Sequence, residues 1–312
     1  MSDSIRIAFA GTPAFAVPAL ERLSALAEVG LVLTQPDRPR GRGRRTEPSA
    51  VKRAAQALRL RCEQPPALHD PDLLKQWQFV PDLLVVIAYG LLLPDWMLAW
   101  PRRACVNLHA SLLPRWRGAA PIQHALLAGD RETGVSLMRI ERALDRGPVY
   151  AMARTAIGAT ETAGELHDRL ALVAADLIET HLRDVAGGRL HAEPQDDARA
   201  TYAPKISKSS AVLDWRKPAL ELERQVRAFN PWPVAESALT DGRRLRIHRA
   251  RAVEGDARAA PGTISGSSAH GIDVVTGRGL LRLEIVQPDG AKVMDAAAYL
   301  AAHRVDGLAF RA

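Results

Sequence analysis

Residues 82–88 read D-L-L-V-V-I-A, and this stretch decides the fold class. Its apolar residues follow one another without the alternation expected of a strand that has one face in water. Such a continuous run is typical of a parallel strand covered on both faces by helices. Residues 104–108 repeat the pattern, and shorter apolar strands are predicted at residues 5–10 and 29–34.

Helical patterns separate these strands. After the first strand, Thr12 suits the N-cap of a helix and Pro13 its first position, and apolar residues then recur with helical spacing. Alternation of strands and helices predicts a doubly wound, Rossmann-like α/β domain with a mostly parallel sheet. Ligands of such sheets lie at the carboxyl ends of the strands, where Thr34, Tyr89 and Asn107 fall.

The pattern changes near residue 209. Short strands broken by Gly and Pro follow, such as residues 245–249 and 280–286, and they predict a smaller OB-like β-barrel. The polar residues before them contain few apolar anchors. We therefore expect a catalytic domain at residues 1–188, a linker at 189–208 and a C-terminal domain at 209–312.

Composition limits the function classes. The chain has 312 residues and a net charge of +7, which favours polyanionic partners but also fits a generally arginine-rich composition. Its longest apolar run, at residues 83–93, is too short to span a bilayer. The two cysteines, Cys62 and Cys105, form no C-x-x-C motif. We expect a cytoplasmic protein with no membrane partner.

The most informative stretch for function is residues 105–118, C-V-N-L-H-A-S-L-L-P-R-W-R-G. Asn107 and His109 are two residues apart in a predicted strand, so their side chains leave on one face. Acyl transfer to an amine needs a donor for the oxyanion, a base, and a group that orients the base. Asn107 can supply the donor and His109 the base, while Asp145, in a predicted turn, can orient the imidazole.

Each of these residues alone has a simpler structural explanation. A single histidine is usually packed or at the surface, an asparagine at a strand end can bond to a turn, and Asp145 before Arg-Gly-Pro is a common turn former. The combination carries the prediction. The remaining histidines lack metal-ligand spacing, so we expect no metal.

The order of these motifs resembles a known family. N-x-H, the following S-L-L-P-x-x-R-G and the later L-D-x-G-P are similar to the signature of the folate-dependent formyltransferases. The resemblance extends over nearly the whole chain, including A-G-T-P at 10–13, T-Q-P-D-R-P at 34–39 and R-A-F-N-P-W-P at 227–233.

The resemblance implies a reaction and its residues. The formyl group of 10-formyltetrahydrofolate would pass to the α-amino group of methionyl initiator tRNA, with Asn107, His109 and Asp145 catalytic. It implies folate contacts at Ser111, Leu112, Leu113, Pro114, Ala88, Tyr89 and Gly90. Arg146 stands where such proteins usually carry Thr, so the resemblance does not determine the conformation of the loop at Asp145.

Two basic regions are candidate tRNA contacts. The first is the loop at residues 38–45, whose crowded cations repel one another. We therefore expect this loop to fold when it binds a partner. The resemblance places it at the acceptor stem of the tRNA and singles out Arg42. The second lies on a C-terminal strand, where alternation turns Arg244 and Arg246 outward. Phosphate contacts of this kind give affinity and position. The predicted tRNA-binding residues are Arg38, Arg40, Arg42, Arg44, Arg45, Arg244 and Arg246.

Two other functions compete with this one. A formyltransferase for a small amine, such as an amino sugar or a purine precursor, would not need the arginine-rich loop. A non-enzymatic RNA-binding protein would not need Asn107, His109 and Asp145 beside a folate-type loop. For the leading hypothesis we expect a monomer whose partners are the tRNA and the folate.

Overall fold

A computed structural model describes residues 4–40, 45–255 and 258–311, with only the backbone given for residues 39, 40 and 45. The chain divides into two compact units. The first contains residues 1–121, 132–156 and 167–203, and the second contains residues 122–131, 157–166 and 204–312.

The first unit is built on a seven-stranded sheet. The strands of this unit are β1 (Arg6–Gly11), β2 (Glu28–Leu33), β3 (Arg38–Arg40), β4 (Arg45–Glu47), β5 (Cys62–Glu63), β6 (Leu83–Ile87), β7 (Ala104–His109), β8 (Arg117–Gly118), β9 (Glu132–Arg139), β10 (Val149–Ala156) and β11 (Tyr202–Ala203). The order in the large sheet is β10-β9-β7-β6-β1-β2-β5. Neighbours from β7 to β5 are parallel, whereas β9 is antiparallel to both β7 and β10. The predicted mostly parallel α/β sheet is confirmed.

Strand β6 lies in the middle of this sheet, between β1 and β7. All five of its residues are buried, as the unbroken apolar run predicted. Val85 pairs with Phe9 on one side and with Val106 on the other, and none of the three is exposed. Burial of apolar surface stabilises a fold by about 25 cal/mol per Å², and here both faces of the strand are buried. This buried core holds the central strands in place and so fixes where their carboxyl ends lie.

Short helices connect the strands, and α6 is the longest of them. The helices before residue 204 are α1 (Val17–Leu26), α2 (Ala50–Ala57), α3 (Leu73–Trp77), α4 (Asp95–Leu98), α5 (Pro121–Ala128) and α6 (Ala163–Ala186). No helix in the described part of the chain is both long enough and apolar enough to cross a membrane.

The start of the first helix differs from the prediction. A 3-10 turn at Ala14–Ala16 precedes α1, and Thr12 does not cap it. Instead the Thr12 hydroxyl donates to the carbonyl oxygen of Tyr89 at 2.8 Å. The hydroxyl therefore joins the end of β1 to the segment after β6, and its oxygen accepts from the N–H of Gln35 at 3.4 Å and not from a helix N–H.

The second unit contains a separate antiparallel sheet. Its elements are α7 (Ala219–Ala228), β12 (Ala235–Ala238), β13 (Arg244–Val253), β14 (Ile264–Ser268), β15 (Gly271–Val275), β16 (Leu280–Pro288), β17 (Met294–Asp295) and α8 (Ala296–Ala302). The order is β12-β13-β16-β15-β14, with β17 also beside β16. The core includes Trp215, fully buried and stacked on Phe310 at 5.0 Å between ring centroids. Among the described residues this strand order does not close into a barrel.

Neither cysteine of the first unit is poised to react. Burial raises the pKa of Cys62 to about 11 and that of Cys105 to about 12. The reactive thiolate is therefore at least about a hundred times scarcer than for an ordinary thiol at neutral pH. We expect iodoacetamide to label the native protein at pH 7.5 far more slowly than the urea-unfolded protein. Rapid labelling of either native thiol, read by mass spectrometry, would contradict this.

Candidate active site

The carboxyl edge of the large sheet gathers the candidate catalytic residues. Strand β7 ends with Asn107 and His109, which leave on one face because their spacing is two. In the register with β9, His109 lies opposite Ser136. Asp145 comes from the loop that joins β9 to β10; β9 is antiparallel to β7 and ends opposite Val106, and the loop carries the Asp145 side chain back to within 3.8 Å of the His109 ring.

The His109 ring has an acceptor at each nitrogen. Nε2 lies 2.8 Å from the carbonyl oxygen of Trp116, which can only accept, so Nε2 carries a hydrogen. Nδ1 lies 3.8 Å from Oδ1 of Asp145, an ion-pair distance beyond hydrogen-bond length. The side chains of His109 and Asp145 are only 7% and 11% exposed. The carboxylate therefore faces the imidazole and not bulk water.

Asp145 is held on its other side as well. Its Oδ2 accepts a hydrogen bond from the backbone N–H of Gly118 at 2.8 Å. Its own backbone has φ +54°, a left-handed conformation that is costly for a non-glycine residue. Ala88 and Trp116, at the same edge, also have positive φ. Such strain is often found at functional sites, because the surrounding structure must enforce it.

Asn107 differs from its two companions. It is half-buried, and nothing in the described part of the chain makes a hydrogen bond to its side-chain amide. A half-exposed amide donor on the same face as the imidazole can meet an oxygen of a ligand. The structure thus brings His109 and Asp145 into contact and leaves the Asn107 amide available beside them.

The turn after β7 is fixed by internal hydrogen bonds. The hydroxyl of Ser111 is fully buried and donates to the carbonyl oxygen of Arg115 at 2.6 Å. Ser136 donates to the carbonyl oxygen of Ser111 and accepts from the N–H of Leu113. Leu113 packs in a small buried cluster with Met138 and Val149. Of the four residues predicted here, only Leu112 and Pro114 have partly exposed side chains.

The segment Ala88, Tyr89 and Gly90 follows β6 at the same edge. Ala88 and Gly90 are exposed, whereas the Tyr89 side chain turns into the core and is 1% exposed. Burial raises the pKa of its hydroxyl well above the usual range. A ligand can therefore meet the backbone of this segment and not the tyrosine ring, a distinction that the sequence could not make.

Two exposed leucines were missed by the sequence analysis. Leu92 is 78% exposed and Leu144 is 60% exposed, among the highest values for large apolar side chains in the described part of the chain. Their loops are joined, because the guanidinium of Arg142 donates to both carboxylate oxygens of Asp95 at 2.7 and 2.5 Å. The only sequence signal for either leucine was the presence of an apolar residue in a turn-rich segment.

The arginine-rich segment begins as a hairpin. Strands β3 and β4 pair antiparallel, so the ends of the predicted loop are already ordered. Arg42 and Arg44 lie outside the described residues, and the Arg40 and Arg45 side chains are not described. The Arg38 side chain is exposed and donates to Gln35 at 2.9 Å.

A polar group holds the base of this hairpin. Lys52 donates to Asp37 at 2.6 Å, and Gln64 donates to the other carboxylate oxygen of Asp37 at 2.7 Å. These bonds, that of Lys52 first, lower the pKa of Asp37. The carboxylate therefore stays charged and keeps the hairpin tied to α2.

The second basic region is on β13. Leu245 and Ile247 are buried while Arg244 and Arg246 are exposed, as the alternation predicted. Arg244 pairs with Glu236 on the neighbouring strand. Arg246 has no ion pair or hydrogen bond within the described ranges, so its charge faces solvent.

A cavity of about 620 Å³ also lies in the second unit. Its three arginines lie against carboxylates: Arg249 and Arg251 share Glu284, at 2.8 and 3.9 Å, and Arg282 pairs with Asp273 at 2.7 Å, while Asp295 also lines the cavity. Because these charges are neutralised within the unit, the cavity offers an anion little net attraction. Among the residues described, no three His, Cys, Asp or Glu side chains are grouped to hold a metal ion.

Two models of known protein families match this chain. Residues 5–181 match the model of the family "Formyl transferase", and residues 205–304 match that of "Formyl transferase, C-terminal domain". The chain is 52% identical to the methionyl-tRNA formyltransferase of Xanthomonas euvesicatoria over 96% of this chain and 98% of that one. The same values hold for the methionyl-tRNA formyltransferase of Xylella fastidiosa strain 9a5c.

Solved structures share the fold at much lower identity. The N-formyltransferase of Helicobacter canadensis, solved with folinic acid and dTDP-3-aminofucose, has a TM-score of 0.63 at 14% identity, over 93% of this chain and all of that one. HypX of Aquifex aeolicus with tetrahydrofolic acid has a TM-score of 0.61 at 16% identity, over 98% of this chain and 48% of that one. With both family models matched and relatives that cover nearly its full length, the chain belongs to the formyl transferase family, in its methionyl-tRNA formyltransferase group.

Proposed function

We propose that the protein transfers the formyl group of 10-formyltetrahydrofolate to the α-amino group of methionyl initiator tRNA and so supplies formylmethionyl-tRNA for translation initiation. The observation that carries the proposal is the meeting of His109 and Asp145 beside the available amide of Asn107, in a chain 52% identical to methionyl-tRNA formyltransferases.

The proposed chemistry begins with attack by the amine. Its lone pair forms a bond to the formyl carbon, and the carbonyl electrons move to the oxygen. The Asn107 amide donates to this oxyanion, and one such donor typically contributes about 10²–10³ in rate. The tetrahedral intermediate then releases the folate when its bond to N10 breaks and N10 gains a proton. The nitrogen loses a proton as the formamide forms.

His109 and Asp145 handle charge and protons in this scheme. For His109 Nε2 to reach the oxyanion, the ring must exchange its contact with the Trp116 carbonyl for the substrate oxygen. Asp145 holds the ring and receives the amine proton, through a water where needed. The amine lies next to an ester, so its pKa falls below the ~7.7–8.0 of a free α-amino group, and a strong base is unnecessary.

The folate site is proposed at the same edge. The backbone of Ala88 and Gly90 can bond to the polar edge of a pterin, and the Ser111–Pro114 turn forms a second side. Leu92 and Leu144 offer apolar surface to a flat ring. This arrangement supports a folate donor and requires no metal ion.

The tRNA is proposed to contact two basic regions. The arginine-rich segment, with Arg38, Arg40, Arg42, Arg44 and Arg45, is proposed to face the acceptor end, while Arg244 and Arg246 meet backbone phosphates. An OB-like form of the C-terminal sheet is part of the proposal. It is supported by isolated pairs that join Leu239 to Phe310 and Thr263 to Ala309 near the two edge strands.

The domain division is also proposed. A catalytic domain is followed by a connecting stretch within residues 189–208 and by a tRNA-binding domain from about residue 209. Because β11 pairs with β8, we place the end of the catalytic domain near Ala203 and not at residue 188. The protein is proposed to act as a cytoplasmic monomer.

The test is a choice of acceptors. Incubated with 10-formyltetrahydrofolate, the protein should formylate methionyl initiator tRNA and neither methionyl elongator tRNA nor free amino sugars. Rates below saturation should fall steeply between 50 and about 200 mM salt, because phosphate contacts are screened. Arg42→Ala should weaken use of the initiator with little change in kcat. Formylation of an amino sugar alone would favour the small-amine alternative, and equal use of both tRNAs would remove the assigned role of the hairpin.

A further inference from the structure

Gln195 lies in the polar stretch for which the sequence predicted no structural or catalytic role. Its side-chain amide makes four hydrogen bonds. Nε2 donates to the carbonyl oxygens of Asp145 at 2.9 Å and Gly147 at 2.7 Å. Oε1 accepts from Nε and Nη2 of Arg117 at 3.0 and 2.8 Å. The amide thus joins the loop of Asp145 to strand β8.

Arg117 is held in turn by a charged partner. Its side chain is 1% exposed, and Nη1 lies 2.8 Å from Oδ1 of Asp197, an ion pair without hydrogen-bond alignment. The other oxygen of Asp197 binds the guanidinium of Arg146. The guanidinium of Arg146 first, and then that of Arg117, lowers the pKa of Asp197. These contacts link four side chains into one group, here called the polar cluster: Arg117, Arg146, Gln195 and Asp197.

The polar cluster constrains Asp145 from two directions. Gln195 binds the carbonyls on both sides of Arg146, which limits rotation of the backbone where Asp145 has its positive φ. Gly118, which follows Arg117 directly, donates its N–H to Oδ2 of Asp145. A single buried guanidinium thus fixes both the loop that carries the carboxylate and the strand that binds it.

We propose that Gln195 is a positioning residue for Asp145, and that Arg117, Asp197 and Arg146 hold it in place for this task. Gln195 touches no reacting atom and acts only through the placement of the carboxylate against His109. The inference rests on the proposed function, since it assumes that Asp145 takes part in formyl transfer. Arg146 gives Asp197 its second cation.

The first test separates rate from binding. In Gln195→Ala the loop at Asp145 loses two donors, so kcat for initiator formylation should fall about 10- to 100-fold, the range expected when a reacting group is misplaced by about 1 Å. KM for the folate and for the tRNA should change less than about threefold, because ground-state binding that is shared with the transition state is kept. A rise in KM at constant kcat would overturn the proposal.

Gln195→Glu and Gln225→Ala serve as companions. A glutamate at 195 can still accept from Arg117 but repels the two carbonyls, so it should lower kcat at least as much as alanine does. Gln225 provides the matched control, because it is buried and donates to two backbone carbonyls, of Ser210 and Val212, in the second unit. Gln225→Ala should lower the melting temperature and leave kcat unchanged. Equal kcat losses in Gln195→Ala and Gln225→Ala would indicate a general structural effect and defeat the proposal.

A double-mutant cycle separates failure of the role proposed for Gln195 from failure of the role proposed for Asp145. If Gln195 acts through Asp145, adding Gln195→Ala to Asp145→Asn should cause no further loss of kcat, because coupled residues are non-additive. A further 10-fold loss would show that Gln195 acts by another route. If Asp145→Asn alone keeps full kcat, the proposed role of Asp145 fails. If it is inactive while Gln195→Ala is normal, only this inference fails.

Discussion

Asp145→Asn should leave a folded protein whose kcat for formyl transfer is lower by about a thousandfold. Asparagine has the same shape, and its side-chain oxygen can still accept from the N–H of Gly118. What is lost is the negative charge 3.8 Å from Nδ1 of His109. In a serine-protease triad the orienting carboxylate contributes about 10⁴ in kcat, and we expect a smaller loss here because the contact at Nδ1 is an ion pair and not a hydrogen bond. Steady-state kinetics and thermal unfolding measure the two properties separately.

Another histidine–aspartate pair supplies the control. His167 and Asp168, on α6, are 2.9 Å apart, closer than the pair at the proposed site, but Asp168 is 85% exposed. Asp168→Asn should therefore leave kcat and KM unchanged. An Asp145→Asn enzyme with more than about a tenth of the parent kcat would contradict the role given to the carboxylate.

Gly147→Ala should lower both activity and stability. A Cβ at this position would lie 2.0 Å from the carbonyl oxygen of Arg139, a backbone atom that cannot swing aside. The backbone near residue 147 must therefore shift, and with it the carbonyl that binds Gln195. We expect kcat to fall about a hundredfold. The melting temperature should fall by several degrees, since ~1 kcal/mol corresponds to about 2–4 °C in a domain of about 150–250 residues.

A glycine in open space controls for the added methyl group. At Gly266, on β14, a Cβ would meet no atom within 4 Å, so Gly266→Ala should match the parent protein in both measurements. Circular dichroism melting curves and formylation kinetics on the three proteins decide the matter. A Gly147→Ala protein with parental kcat would show that the loop at Asp145 tolerates displacement.

Parts of the fold that depend on apolar patterns were predictable. The apolar runs at β6 and β7 predicted central parallel strands, since burial of both faces favours apolar residues along most of the strand. Alternation on β13 predicted which arginines face outward. Thr12 was predicted wrongly as a helix cap, because its hydroxyl donates to a residue 77 positions away in the chain and its oxygen accepts from Gln35 and not from a helix N–H.

The site was predictable only where its signal is local. Asn107 and His109 are two residues apart in one strand, so their shared face follows from the sequence. Gln195 was not predictable, because its partners are backbone carbonyls and an arginine more than 45 positions away. Bonds of this kind leave no hydrophobic period in the sequence, so a polar stretch that is fixed in place resembles a linker.

The pairing of β11 with β8 also bears on how members of this family could be recombined. A chimera joined near residue 188 would keep Asn107, His109 and Asp145 from one parent but take its Gln195 and Asp197 positions from the other. A junction after Ala203 keeps all of them from one parent. The natural place to exchange C-terminal parts between relatives is therefore about 17 residues beyond Ala186, where α6 ends.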